Sequence, residues 1–196
     1  MAFKDVVVLL PGISGSTLAK GDRVLWGADV GGVLSAIASG GGSIRELTLT
    51  VPDDPTQDYI DDVRAVSLIP DVHLIPGLWK IDGYTKIAET LKSKLELQDG
   101  QNFFQFPYDW RRDNRVAARL LRCFALDKLT RWRTVSGDAK LIFVAHSMGG
   151  LVARTFIEVL DGWRDTRALY TLGTPFRGSL NALVLLSQPV ASPETG

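Results

Sequence analysis

Lys140-Leu-Ile-Phe-Val-Ala-His-Ser-Met-Gly-Gly150 is the stretch on which the reading of this chain turns. Leu141 to Val144 is an unbroken apolar run, too short for a helix and rich in β-branched and aromatic residues, so it reads as a strand buried on both faces. A strand of that kind needs helices on each side of its sheet. It passes directly into Ala145-His-Ser-Met-Gly149, and then into a segment where Leu151, Val152, Thr155, Phe156 and Val159 recur at helical spacing. Strand, tight turn and helix around one serine make a nucleophile elbow, in which a strained backbone lifts the serine hydroxyl above the sheet edge. Strand and helix pack closely there, so the flanking residues must be small, and Ala145 and Gly149 are. The five residues alone would also fit an ordinary strand–helix turn with a solvated serine. Their place between a buried strand and an amphipathic helix makes Ser147 the candidate nucleophile.

Working outward, Val6 to Leu10 is a second continuous apolar run, ending in Pro11-Gly-Ile-Ser-Gly-Ser16. Such a loop offers free backbone donors. In an elbow enzyme one oxyanion donor is the N–H after the nucleophile and another comes from the loop after a neighbouring strand, which by position are Met148 and Ile13. From Gly15 to about Lys80 the regular pattern breaks down, and a connection this long reads as a cover over the site. Within it, Trp26-Gly-Ala-Asp29 leads to a possible short helix and a Gly/Ser loop, while Leu47–Val51 and Val63–Leu68 alternate like half-exposed strands. The acidic run from Asp53 to Asp62 lacks the spacing of a calcium loop and reads as a solvated face, not a metal site. Trp26, Leu78 and Trp79 from the cover, with Phe176 beyond the last strand, are the candidates to line an apolar mouth that takes an acyl chain. The alternative is that these aromatics only pack the cover.

Regularity returns at Asp82, a candidate N-cap for a helix whose stripe is Tyr84, Ile87, Ala88, Leu91 and Leu95. Asn102 to Phe106 reads as a strand closed by Pro107, Asn114 to about Arg133 as a long helix, and Leu169 to Leu172 as a fourth strand. The alternation of strand and helix implies a parallel sheet with right-handed crossovers. No internal repeat or linker divides residues 1–196, so they read as one domain with the cover inserted at about 15–80.

Composition bounds the partners. The 196 residues carry 22 basic and 22 acidic side chains with no long Lys/Arg run, which excludes a nucleic-acid groove or a polybasic membrane patch. A domain of this length buries about 70 % of its unfolded surface and needs no metal or disulfide to hold it. The single Cys123 cannot form an internal disulfide and, in an apolar helical stretch, reads as a packed small hydrophobe. The N-terminal apolar run is too short for a signal peptide, and no run of eighteen apolar residues exists, so the expectation is a soluble, cytoplasmic chain without a transmembrane segment. Nothing in the sequence calls for a cofactor, and it leaves the oligomeric state open.

Leu10-Pro-Gly-Ile-Ser-Gly-Ser16, Phe106-Pro-Tyr-Asp-Trp-Arg111, Ala145-His-Ser-Met-Gly-Gly150 and Thr171-Leu-Gly-Thr-Pro-Phe-Arg-Gly-Ser179 together resemble the lecithin:cholesterol acyltransferase-like branch of the α/β-hydrolases. The Pro-Tyr-Asp-Trp-Arg string is the most specific of the four. The resemblance covers most of the chain but only the first part of such a domain. It implies an α/β-hydrolase-type parallel sheet with flanking helices, a long cover insertion after the first strand, and strand order 4-3-5-6 in the family's naming. It also implies a lipase-, phospholipase- or acyltransferase-like reaction through an acyl-enzyme on Ser147, with lipid or another acyl ester as substrate. Tyr108, Asp109 and Trp110 would lie near the site, with Trp110 packing and Asp109 paired to an arginine to fix the loop.

In elbow hydrolases the acid and then the histidine follow the serine in the chain. After Ser147 there is no histidine; the only two are His146, within the elbow, and His73, which falls in the cover. Glu158, Asp161 and Asp165 belong to the helix after the elbow and its exit. The expectation is therefore an N-terminal piece of a longer hydrolase, incomplete at its C-terminus, or a short paralogue. The rival function is a catalytically incomplete binding or interaction module in which the elbow is a relic.

Overall fold

The computed structural model of the chain describes residues 3–27, 47–49, 51–75, 79–81 and 83–180, with 72–75 and 79–81 described by backbone alone. In chain order the elements are β1 (Val6–Leu10), β2 (Ser16–Lys20), β3 (Arg23–Trp26), β4 (Val63–Leu68), β5 (Val72–Ile75), β6 (Trp79–Ile81), α1 (Thr85–Leu95), β7 (Phe103–Gln105), α2 (Asn114–Trp132), β8 (Leu141–His146), α3 (Met148–Val159), a 3-10 turn at Gly162–Arg164, and β9 (Thr166–Leu172).

Strands β7, β1, β8 and β9 pair in that order, all parallel, with Val8 level with Phe104 on one side and Phe143 on the other. This is the expected α/β-hydrolase-type sheet and the expected order. Alternation along β1 explains why its whole run is apolar. Val6, Val8 and Leu10 face a layer built from α2 and α3, where Ala118, Leu121, Val152 and Phe156 pack with Phe143. Val7 and Leu9 face the opposite layer, where Tyr84 and Ala88 at the start of α1 meet Phe103 and Val144. Both faces are thus covered and every residue of β1 is fully buried.

Polar ties fix the ends of the layers. Asp5, itself buried, accepts the Lys140 N–H at 2.9 Å and the Arg167 guanidinium, pinning the N-terminal ends of β1, β8 and β9 together. Asp113 caps α2 by accepting the Arg115 N–H at 2.7 Å. The cap of α1 is Tyr84, without a side-chain cap hydrogen bond; the expected Asp82 lies outside the described residues.

The segment expected to form a cover departs further from expectation. Ser16 to Trp26, read as patternless, is the β2–β3 hairpin, turned by Gly21 at φ 56°, and β4 pairs with β2 on its other side. Leu47–Val51 is not a strand at its described positions, and its apolar content goes instead to packing: Leu47 joins Leu18, Leu25, Val63 and Trp110 under the small sheet. Strands β5 and β6 form a separate two-stranded ladder. The proposed helix after Trp26 and the Gly/Ser loop at 39–43 lie outside the described residues. Two side chains are corrected as well. Cys123 faces solvent, because the buried stripe of α2 is Ala118, Leu121, Ala125 and Leu129. Val159, at the end of α3, is 71 % exposed, and Ala153 replaces it on the packed face.

Candidate active site

Ser147 sits between β8 and α3 with φ 48° and ψ −121°, a positive-φ conformation that a serine occupies only under constraint. Its constraints are visible. The Ser147 N–H donates to the Leu172 carbonyl at the end of β9, 2.8 Å away, and its own carbonyl accepts from Gly150 at 3.1 Å. Crowding enforces the small neighbours. A Cβ on Gly149 would stand 2.4 Å from the Pro11 carbonyl oxygen, and one on Gly150 would stand 2.1 Å from Thr174 Oγ1. Ala145 is fully buried, so the methyl that replaces glycine there is accommodated.

The loop after β1 lies against this turn. A Cβ on Gly12 would come within 3.0 Å of Ser147 Cβ and 3.1 Å of His146 Nδ1. The Gly15 N–H donates to the Gly12 carbonyl at 3.0 Å, closing a four-residue turn with Ile13 and Ser14 at its centre and Ser14 at φ 60°. Tyr108 supports the same loop from below: its hydroxyl donates to the Pro11 carbonyl at 2.9 Å, and its N–H donates to Ser16 Oγ at 3.1 Å. Burial pushes the Tyr108 phenol far above its ordinary value, with nearby Tyr84 adding to the effect.

Sequence reasoning missed Tyr84 as a site residue. Its hydroxyl accepts the Gly12 N–H at 2.7 Å and lies 2.8 Å from His146 Nδ1. Sixty-two positions separate Tyr84 from His146, and no local pattern announces the contact. Burial raises the Tyr84 phenol, and the Gly12 N–H opposes that in part. His146, exposed, thus has Nδ1 engaged by Tyr84. Two of the acids after the elbow are also engaged: Glu158 by Arg154 at 2.9 Å and Asp165 by Arg133 at 2.8 Å.

The Pro-Tyr-Asp-Trp-Arg segment behaves as expected. Asp109 is bound by Arg111, Nη2 at 2.6 Å, and Trp110 donates its indole N–H to the Ser16 carbonyl at 3.1 Å. The acidic run is more than a solvated face. Arg111 also reaches Asp61 at 3.0 Å, Arg112 meets Asp53 at 2.7 Å, and Arg119 meets Asp58 at 2.9 Å, so three guanidinium groups at the start of α2 hold the loop down. Burial works against the charge on Arg111, but Asp109 and Asp61 outweigh it and the net shift is upward.

Of the candidate substrate residues, Trp26 donates its indole N–H to the Ser14 carbonyl at 2.9 Å and meets Trp110 edge-on at 5.5 Å. Phe176 is 44 % exposed, with the Arg154 guanidinium 5.2 Å over its ring, beside a groove between α3 and β9. No contact between the two is seen among the described residues. Leu78 and the Trp79 side chain lie outside them. A cavity of about 240 Å³ opens between the cover and α2, walled by Ile60, Val63, Phe106, Leu120 and Phe124, and Ser147 does not line it. Among the described residues no helix is long and apolar enough to cross a membrane.

Known proteins bear on this arrangement in three ways. The family model for lecithin:cholesterol acyltransferase matches residues 76–190, over half of the chain. A 90-residue stretch is 31 % identical to lecithin-cholesterol acyltransferase-like 4 of Arabidopsis thaliana, covering 42 % of this chain and 15 % of that protein. The solved Tle4–Tli4 complex superposes with a TM-score of 0.57 over 87 % of this chain and 46 % of the matched one, at 17 % identity, a likeness of fold alone. The chain thus spans less than half the length of either. On the family match and the parallel sheet with its strained serine turn, the chain belongs to the lecithin:cholesterol acyltransferase family.

Proposed function

We propose that the chain carries the nucleophile half of a serine-dependent acyl ester hydrolase or acyltransferase. The observation that supports this most is the backbone of Ser147, held at positive φ between a fully paired parallel strand and a helix N-terminus. A serine held in that conformation at a strand–helix junction has its hydroxyl lifted clear of the sheet edge, as a nucleophile elbow requires. In the reaction, Ser147 Oγ attacks the ester carbonyl while a base takes its proton. The carbonyl oxygen becomes an oxyanion facing the N–H groups of Met148 and Ile13. Met148 opens α3, where N–H groups lack intrahelical partners, and Ile13 is the second residue of the Gly12–Gly15 turn, whose closing bond leaves that N–H unused. Collapse of the intermediate expels the alcohol, which takes the proton, and leaves an acyl-enzyme for water or a second alcohol.

The base is the missing part. His146 is tied to Tyr84, and we assign the triad acid and histidine to residues outside these 196. Trp26, Leu78, Trp79 and Phe176 are proposed to meet the acyl chain, which makes a lipid the favoured ester. Residues 1–196 form one domain in this reading, with the cover at about 15–80. A cytoplasmic setting accords with the lone exposed Cys123.

A fluorophosphonate probe tests the nucleophile, applied to this chain and to the longest natural protein containing it. Labelling is expected in the wild type and absent in Ser147→Ala; labelling that persists in the variant rejects the assignment. The absence of any histidine after Ser147 favours a second reading, a binding module with a relic elbow. That reading predicts no labelling in any natural form. If labelling occurs, p-nitrophenyl esters should show kcat/KM rising from acetate to octanoate, since each buried CH₂ contributes about 0.8 kcal/mol.

A further inference from the structure

We infer that Tyr84 is the positioning residue of the oxyanion loop, clamping Gly12 and His146 with one hydroxyl so that the loop after β1 keeps its place over Ser147. The inference rests on the reading of Ser147 as nucleophile and adds a residue that touches neither substrate nor reacting atoms.

The geometry carries it. The phenol oxygen accepts the Gly12 N–H at 2.7 Å, so the proton of the hydroxyl is free to be donated to His146 Nδ1, 2.8 Å away. All three groups are satisfied when His146 carries its proton on Nε2. The hydroxyl lies in a cradle of two glycines: a Cβ on Gly15 would stand 2.8 Å from it, and a Cβ on Gly12 would push into Ser147 and His146. The ring cannot drift, because Tyr84 is only 8 % exposed and is bound through its backbone. Its N–H donates to the Ile69 carbonyl at 2.9 Å, and the Ile69 N–H donates to the Gly15 carbonyl at 3.0 Å. Gly83 permits this approach, since a Cβ there would stand 2.2 Å from Pro70. One side chain therefore joins the end of β4, the start of α1, the loop after β1 and the elbow.

Two consequences follow for the chemistry. The Gly12 N–H is consumed by Tyr84 and cannot serve the oxyanion, so the loop's donor lies further along the turn, where Ile13 is the proposed one. The distance between that donor and Ser147 is held by the Tyr84 bridge on one side and by Tyr108, through Pro11, on the other.

Tyr84→Phe removes the hydroxyl and keeps the ring. In the form of the protein that reacts with fluorophosphonate, the variant is expected to label about 10- to 100-fold more slowly, with kcat on a p-nitrophenyl ester falling similarly and KM within about twofold of wild type. Exchange of the Gly12 amide with deuterium is expected to accelerate at least about tenfold. A merely structural tyrosine would lower the melting temperature without that division between kcat and KM. If Tyr84→Phe does not fold, His146→Ala removes the other end of the clamp and should lower kcat severalfold with the same Gly12 signature. A folded Tyr84→Phe variant that labels at the wild-type rate overturns the inference while leaving Ser147 in place. A wild type that never labels overturns both, and so the two failures are distinguishable.

Discussion

The parallel sheet and the insertion between β1 and α1 are held by different forces. In the sheet, β1 is fully buried on both faces and Leu141, Phe143 and Ala145 of β8 pack with Leu121 and Phe156, and stability there is proportional to apolar area removed from water. In the insertion, the acidic run is fastened to the start of α2 by Arg111, Arg112 and Arg119, and the hairpin rests on a small cluster around Leu18, Leu25 and Val63. The contrast teaches that a scaffold can be made insensitive to its surroundings while the inserted segment responds to charge.

The largest expected effect breaks the scaffold. Phe156→Ala removes a ring packed edge-on at 5.6 Å against Phe143 and should cost about 3–5 kcal/mol, lowering the cooperative denaturation midpoint of the whole chain. Arg112→Ala should divide the two regions. Its guanidinium, 4 % exposed, serves Asp53 and the carbonyls of Asp54, Gln57 and Asp58, and removing it leaves a carboxylate and three carbonyls short of a partner. The loss should be about 3 kcal/mol and local, read as faster proteolysis between residues 51 and 62 with the global midpoint much less changed. A single common loss at both places would show that sheet and insertion form one cooperative unit.

The expectation that succeeded and those that failed divide along the same line. Val6–Leu10 and Leu141–Val144 were legible because burial on both faces leaves an unbroken apolar run, a signal contained in the strand itself. The β2–β3 hairpin carries a weaker signal, a Gly21-Asp22 pair between Lys20 and Arg23, which pair across the turn. The ties from Arg112 to Asp53 and from Tyr84 to the Gly12 N–H are not legible at all, since each joins groups more than fifty positions apart.

Smaller effects sharpen the contrast through pH. Burial raises the Tyr108 phenol in the folded state, so folding holds its proton where the unfolded chain releases it; that stability is complete below about pH 10 and is lost as pH rises further. Tyr108→Phe should flatten this alkaline decline in denaturant titrations, at a cost of about 1 kcal/mol at neutral pH for the lost bond to Pro11. At the acid end, the hydrogen bond from Arg115 holds the Asp113 carboxyl below its ordinary value. Its stabilisation is present above about pH 4 and fades as pH falls through the folded-state value. Asp113→Ala should cost about 1 kcal/mol at neutral pH and less in acid, seen as convergence of the two thermal midpoints.

The crowding around the elbow sets how the chain can drift by mutation. Position 145 has room for a methyl and stands one codon change from glycine, so lineages can exchange the two without loss. Positions 149 and 150 have no such latitude, for the first Cβ would strike the Pro11 carbonyl and the second Thr174. A random library built on this chain should therefore tolerate both small residues at 145 and return only glycine at 149. At 150, escape would require a second substitution at Thr174, and the two positions should vary together or not at all.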